Sequence, residues 1–134
     1  VRIIAIEDFS ILNSISNNYT PDFNSMIIRQ APMLIAMTFV KGRCGFERDG
    51  SFTTKKGDRW QMFDAGIAAQ TFCLAAHEAG LGTVIMGIWD EDGITKLLDF
   101  PKDQELAALI AIGYPDIHPD APGRKSVDEL LTYR

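Results

Sequence analysis

The sequence is poor in the residues that build catalytic or metal centres. In 134 residues it has two cysteines, Cys44 and Cys73, and two histidines, His77 and His118. Two cysteines exclude a disulfide scaffold and the usual four-ligand zinc patterns. The histidines are too few and too far apart in sequence to suggest a metal site. Positive charge is also in short supply: 13 Lys and Arg stand against 18 Asp and Glu, a net charge of −5. Such a field repels a phosphate backbone, so nucleic acid is not an expected partner. Long apolar runs are missing too. The longest, Met33 to Val40, is far too short to span a bilayer, so no membrane is expected. The N-terminus lacks a basic stretch leading into an apolar one, and a cytoplasmic, reducing setting is the expectation. Met is absent from position 1, and Val1 to Ile6 already has the pattern of a strand, so either a processing event or a further segment upstream of Val1 is expected.

What is present is 46% apolar and 23% charged, which suits one globular domain over residues 1–134 with a substantial core. Strand patterns occur at residues 1–6, 33–40, 83–88 and 106–112, and the first two suggest buried strands. Between them lie helix patterns. Asp8 caps one over Phe9 to Ile15, which the turn-forming Asn17-Asn18 ends. Thr20 and Pro21 open another, to Arg29. The strongest pattern runs from Arg59 to Ala79, with Asp58 at its start and Gly80 at its end. It is apolar around most of its circumference and rich in small residues, which predicts near-complete burial. That burial is supplied either by a second subunit or by the core of a single chain. Asp90 caps a short helix, Glu91 to Leu98, and Ser126 with Glu129 forms a capping box. Residues 41–59, with four glycines among mixed charges, read either as part of a substrate entrance or as a solvated connector. Strands alternating with helices give an α/β or α+β class.

The chemistry-bearing motifs are few. Gly80-Leu81-Gly82-Thr83 ends a helix and enters a strand, the reverse of a dinucleotide fingerprint, and no P-loop follows. Gly87, after a strand and before Trp89, permits close approach of a flat ligand or marks a bulge. Arg124-Lys125, on a proline-rich tail, suits a phosphate or is plain surface charge. Asp90-Glu91-Asp92-Gly93 lacks the spacing of a calcium loop. With no acid/base constellation and no metal site, any enzymatic chemistry falls to a cofactor.

Taken in order, Asp64-Ala65-Gly66-Ile67-Ala68-Ala69-Gln70, Leu74-Ala75-Ala76 and Gly80-Leu81-Gly82-Thr83 resemble the central helix and following strand of the nitroreductase-like flavoproteins. Ala31-Pro32, Ile112-Gly113-Tyr114-Pro115 and Arg124-Lys125 resemble the same family, so the resemblance covers nearly the whole chain. It implies an α+β, three-layer fold with a mixed central sheet flanked by helices. It also implies an intertwined homodimer through the Arg59–Ala79 helix. FMN is the implied cofactor, NADH or NADPH the reductant, and a nitro compound, quinone or similar small molecule the electron acceptor in a ping-pong cycle. Ile85, Met86, Gly87 and Ile88 match the segment beside the flavin, whose amides meet its N5 and O4 edge. Arg124 and Lys125 match the cations on its phosphate, with Arg124 the primary contact, and Trp89 either borders the pocket or belongs to the core. No protein catalytic residue is implied, because the flavin carries the chemistry. The family's N-terminal Arg-rich segment and the Pro/Asn loop after it have no counterpart here. Alternative functions are a non-catalytic flavin-binding protein and an FMN-free structural dimer of the same fold.

Overall fold

Four strands and five helices make up the computed structural model, which describes residues 1–134. The strands are β1 (Arg2–Ile6), β2 (Met33–Val40), β3 (Gly82–Met86) and β4 (Gln104–Gly113). The helices are α1 (Phe9–Asn18), α2 (Asp22–Gln30), α3 (Arg59–Glu78), α4 (Glu91–Leu98) and α5 (Val127–Leu130). One sheet forms in the order β1-β2-β4-β3, and all three ladders are antiparallel. The α+β class holds. The sheet is not mixed within this chain, because β2 and β4 have both edges taken and β1 and β3 have no strand on their outer sides.

Alternation along the central strands builds two cores. Leu34 and Ala36 of β2, with Leu109 and Ala111 of β4, face one layer made by α1, α2 and α4. Ile35 and Met37, with Ala108 and Ile110, face the opposite layer, made by α3 through Ala68, Ala69, Phe72 and Cys73. The result is a helix–sheet–helix sandwich. Leu34, Leu109 and Ile110 are fully enclosed, and burial of each contributes about 1.5–3 kcal/mol. A register shift between Met37 and Thr38 explains why Leu106 and Leu109, three apart, share one core. Here β4 carries an extra residue, which resets the side-chain alternation.

Local chemistry fixes most element ends. The Asp8 carboxylate accepts from the amides of Ser10 and Ile11 and starts α1. Asn17-Asn18 does not form a turn: both lie in the last turn of α1, and Asn18 Nδ2 donates back to Ser14 O. The N-cap of α2 is Pro21 rather than Thr20, whose hydroxyl is engaged by Ile15 O and Ser16 O at the end of α1. Helix α3 ends in a Schellman motif. Gly80, at φ +77°, donates to His77 O, and Leu81 donates to Ala76 O. Asp90 caps α4 through Gly93 N, and Ser126 and Glu129 close a capping box on α5.

Burial within the single chain is less than expected at β1 and at α3. As an edge strand, β1 is open on its outer side and only Ile6 is buried. Helix α3 is not enclosed either: Gln61, Ala65, Ala69 and Ala76 are buried, while Phe63 is 58% and Leu74 60% exposed. Small residues with Phe72 seat one face on the sheet, while Phe63, Ile67 and Leu74 point the other way. Residues 41–58 fold into a compact excursion rather than an open connector. Phe46 and Phe52 pair as an isolated bridge, with ring centroids 5.0 Å apart, beside the start of α3. No helix is long and apolar enough to cross a membrane.

Candidate functional site

Residues Ile85 to Ile88 leave the sheet at its edge. Strand β3 pairs only with β4 and ends at Met86, two residues short of the expected boundary. The Met86 side chain turns into the core beneath α4, so that residue offers only its backbone to a ligand. Ile85, Gly87 and Ile88 are exposed. A Cβ on Gly87 would meet nothing within 4 Å, and its φ is not positive. Neither crowding inside the chain nor left-handed backbone therefore calls for glycine there.

The turn after Gly87 is held from below. Asn24, on α2 and 3% exposed, donates from Nδ2 to Ile88 O at 2.9 Å. Two residues on, Asp90 N donates to Tyr19 O at 2.7 Å. The Tyr19 ring lies against Gly93 in the first turn of α4, where a Cβ has no room. The amides of Gly87, Ile88 and Trp89 donate to no group of the chain, and that of Trp89 lies between the two anchors. They form a short row of free N–H donors on a clamped backbone. Trp89 is half-buried and packs on the core beneath them.

The other expected half of the site lies on the C-terminal tail. Arg124 and Lys125 are exposed on the irregular tail, and the Arg124 guanidinium donates to Pro122 O and Gly123 O. No hydrogen bond joins them to residues 85–88.

Two grooves flank the sheet. One, of about 510 Å³, is polar and includes Arg43, Cys44, Gln61, Asp64 and Gln104 in its wall. Gln61 Oε1 accepts from Gly42 N, and Gln104 Oε1 accepts from the buried Thr38 hydroxyl. Hydrogen bonding to the Asp64 carboxylate, partial burial and the charge of Asp64 push the Cys44 thiol up from its ordinary value. The second groove, of about 570 Å³, gathers Pro32, Gly80, Gly82, Gly113 and Pro115 at one end of the sheet. The separated sequence motifs meet here in space, as strand ends packed on each other. Both histidines also line this groove, yet no group of three metal-ligating side chains exists anywhere in the chain.

A family model, Nitroreductase family, matches residues 10–114. The chain belongs to the nitroreductase family. Solved structures share its fold. A nitroreductase family protein from Streptococcus pneumoniae TIGR4 superposes with a TM-score of 0.83 at 17% identity, covering 99% of this chain and 78% of that one. An "FMN-dependent Nitroreductase" from Clostridium difficile R20291 superposes with a TM-score of 0.71 at 24% identity, covering 98% and 73%. Among curated proteins, the "Putative NADH dehydrogenase/NAD(P)H nitroreductase" of Methanothermobacter thermautotrophicus is 40% identical over 60 residues. That match spans 42% of this chain and 31% of the relative.

Sequence reasoning about this nitroreductase-family chain missed Asn24 and Tyr19. A signal for Asn24 was available. At helical spacing it shares a stripe with Ile28, and a polar residue on a buried stripe needs a partner. That partner, Ile88 O, is 64 residues away, and no local pattern identifies it.

Proposed function

We propose that the protein containing this chain is an FMN-dependent NAD(P)H oxidoreductase that passes electrons to a nitro compound, a quinone or a similar small acceptor. The carrying observation is the row of free amides at Gly87, Ile88 and Trp89, leading from a sheet edge into an anchored turn, with a glycine that the chain's own packing does not require. Bound FMN would supply hydride chemistry between the nicotinamide and the acceptor. The Gly87 and Ile88 amides would face the flavin's N5 and O4 edge, where donors favour the negative charge of the reduced ring. Ile85 and Met86 would carry the backbone up to that edge, and Ile88 would add an apolar side chain. Arg124 and Lys125 would hold the phosphate, Arg124 as a fork and Lys125 as a point charge.

The outer face of α3 supports a homodimer as part of the same reading. Phe63, Ile67 and Leu74 are each more than half exposed on it. A second copy would cover these side chains and enclose α3 as its composition demands. Two unpaired cysteines fit a reducing, cytoplasmic compartment.

The test is a titration of the purified protein with FMN, followed by NADH or NADPH oxidation with a nitroaromatic or quinone acceptor. Saturable FMN binding with turnover supports the proposal. Binding without turnover points to a flavin-binding protein, and no binding overturns the reading.

A further inference from the structure

Asn24 is a buried polar side chain on a helix with no role in the fold's apolar logic. It sits at 3% exposure on α2, yet it spends its amide donor on Ile88 O in a turn that belongs to another part of the chain. The bond is not a helix cap or a ladder bond, since Ile88 lies beyond the end of β3 and before Asp90, the cap of α4. Its effect follows from peptide geometry. The Ile88 carbonyl and the Trp89 N–H belong to one rigid plane and point in opposite directions. Drawing the carbonyl toward α2 therefore turns the Trp89 N–H away from α2. The second anchor, Asp90 N to Tyr19 O, fixes the next peptide plane at 2.7 Å. With both planes pinned, the Trp89 N–H has a set direction before any ligand arrives, and the Gly87 and Ile88 amides lead into a turn whose far end is held.

We propose that Asn24 is a positioning residue for the flavin edge: its hydrogen bond to Ile88 O orients the Trp89 amide, anchors the turn that the Gly87 and Ile88 amides enter, and thereby tunes the reduction potential of the bound FMN. The proposal rests on the FMN reading above. Pre-orientation matters because fixed donors stabilise developing negative charge without the cost of reorganising. A loop that has lost its anchor still meets the flavin, but its amides must be ordered at the moment of reduction. Reduced FMN then loses more affinity than oxidised FMN, and the potential falls.

The test compares wild type with Asn24→Leu, which keeps the branched shape and removes the donor. Asn24→Ser is the second variant, because its short side chain cannot span the bond yet tolerates water. Ser25→Ala, at a buried neighbour on α2, is the packing control. Hydrogen exchange of the FMN-free proteins is read at residues 87–90, and FMN affinity and the two-electron potential are read on the loaded proteins. The expected result is faster exchange at the Asp90 amide, the hydrogen-bonded one in this turn, and about a fivefold to tenfold loss of FMN affinity, with Ser25→Ala unchanged. The ratio of reduced to oxidised affinity should fall about tenfold, a drop of about 30 mV for a two-electron couple. If Asn24→Leu does not fold, Asn24→Ser is judged by the same criteria. A folded variant that binds FMN at the wild-type potential overturns the positioning role and leaves the FMN reading standing. A wild type that binds no FMN overturns both, and it is recognised without any variant.

Discussion

Gly113 at the end of β4 lies directly under Pro32 at the start of β2: a Cβ on Gly113 would stand 2.6 Å from Pro32 Cδ. The glycine is thus required by packing, not by backbone conformation. Gly113→Ala should destabilise the fold by about 1–3 kcal/mol, as overpacking a tight site does. Urea unfolding monitored by tryptophan fluorescence checks this. Gly66→Ala is the contrast, since a Cβ there meets nothing within 4 Å and alanine favours the helix. That substitution should be neutral or slightly stabilising.

Arg124 is exposed and bonds only to its own neighbours' carbonyls. Arg124→Ala should therefore leave stability within about 0.5 kcal/mol of wild type. FMN affinity should fall at least tenfold, while riboflavin, which lacks the phosphate, should bind as before. Isothermal titration with both ligands makes the comparison. An unchanged FMN affinity rules out the phosphate contact.

Asp8 starts α1 as a carboxylate. The Ser10 hydroxyl, the Ile11 amide and the Ser10 amide all donate to it and hold its pKa below the ordinary aspartate value. Because folding lowers this pKa, the stabilisation is complete above the unfolded-state value and disappears as pH falls through the folded-state value. Acid titration of unfolding stability should show this loss below the ordinary aspartate range. Asp8→Asn keeps an acceptor at the cap and should flatten that part of the profile.

Cys44 faces the Asp64 carboxylate, which pushes its thiol up. Asp64→Asn removes the charge and should lower that pKa, so that more thiolate is present at mildly alkaline pH. Alkylation of Cys44 by iodoacetamide, followed by peptide mass spectrometry, should run several-fold faster in the variant. An equal or slower rate contradicts the assignment.

On the outer face of α3, Ile67→Glu should leave the fold intact, because Ile67 is 54% exposed in the single chain. Light scattering should nevertheless show a shift from dimer to monomer. A wild type that is already monomeric refutes the proposed homodimer.

Much of this fold is legible from local chemistry. β2 runs over Met33–Val40 and α4 over Glu91–Leu98 as expected, because an uninterrupted apolar run and an Asp cap are signals contained in a few residues. The misplaced boundaries have non-local causes. Thr20 has the side chain of an N-cap, but the carbonyls of α1 take its hydroxyl first. β1 looks like a buried strand in composition, and only sheet order reveals that it lies at an edge. The candidate site divides along the same line. Gly87 stands out in sequence as an unexplained glycine, whereas the Asn24 bond that fixes its neighbours depends on two segments meeting in space.

The alanine seam of α3 has a consequence for how the molecule comes apart. A helix of 20 residues that rests on the sheet through a few small side chains buries little area for its length. Its attachment is weaker than that of the β2–β4 ladder at the centre. If a second copy covers its outer face, opening of α3 and loss of the partner become one event. Amide protection in α3 would then rise with protein concentration, while protection in β2 and β4 would not.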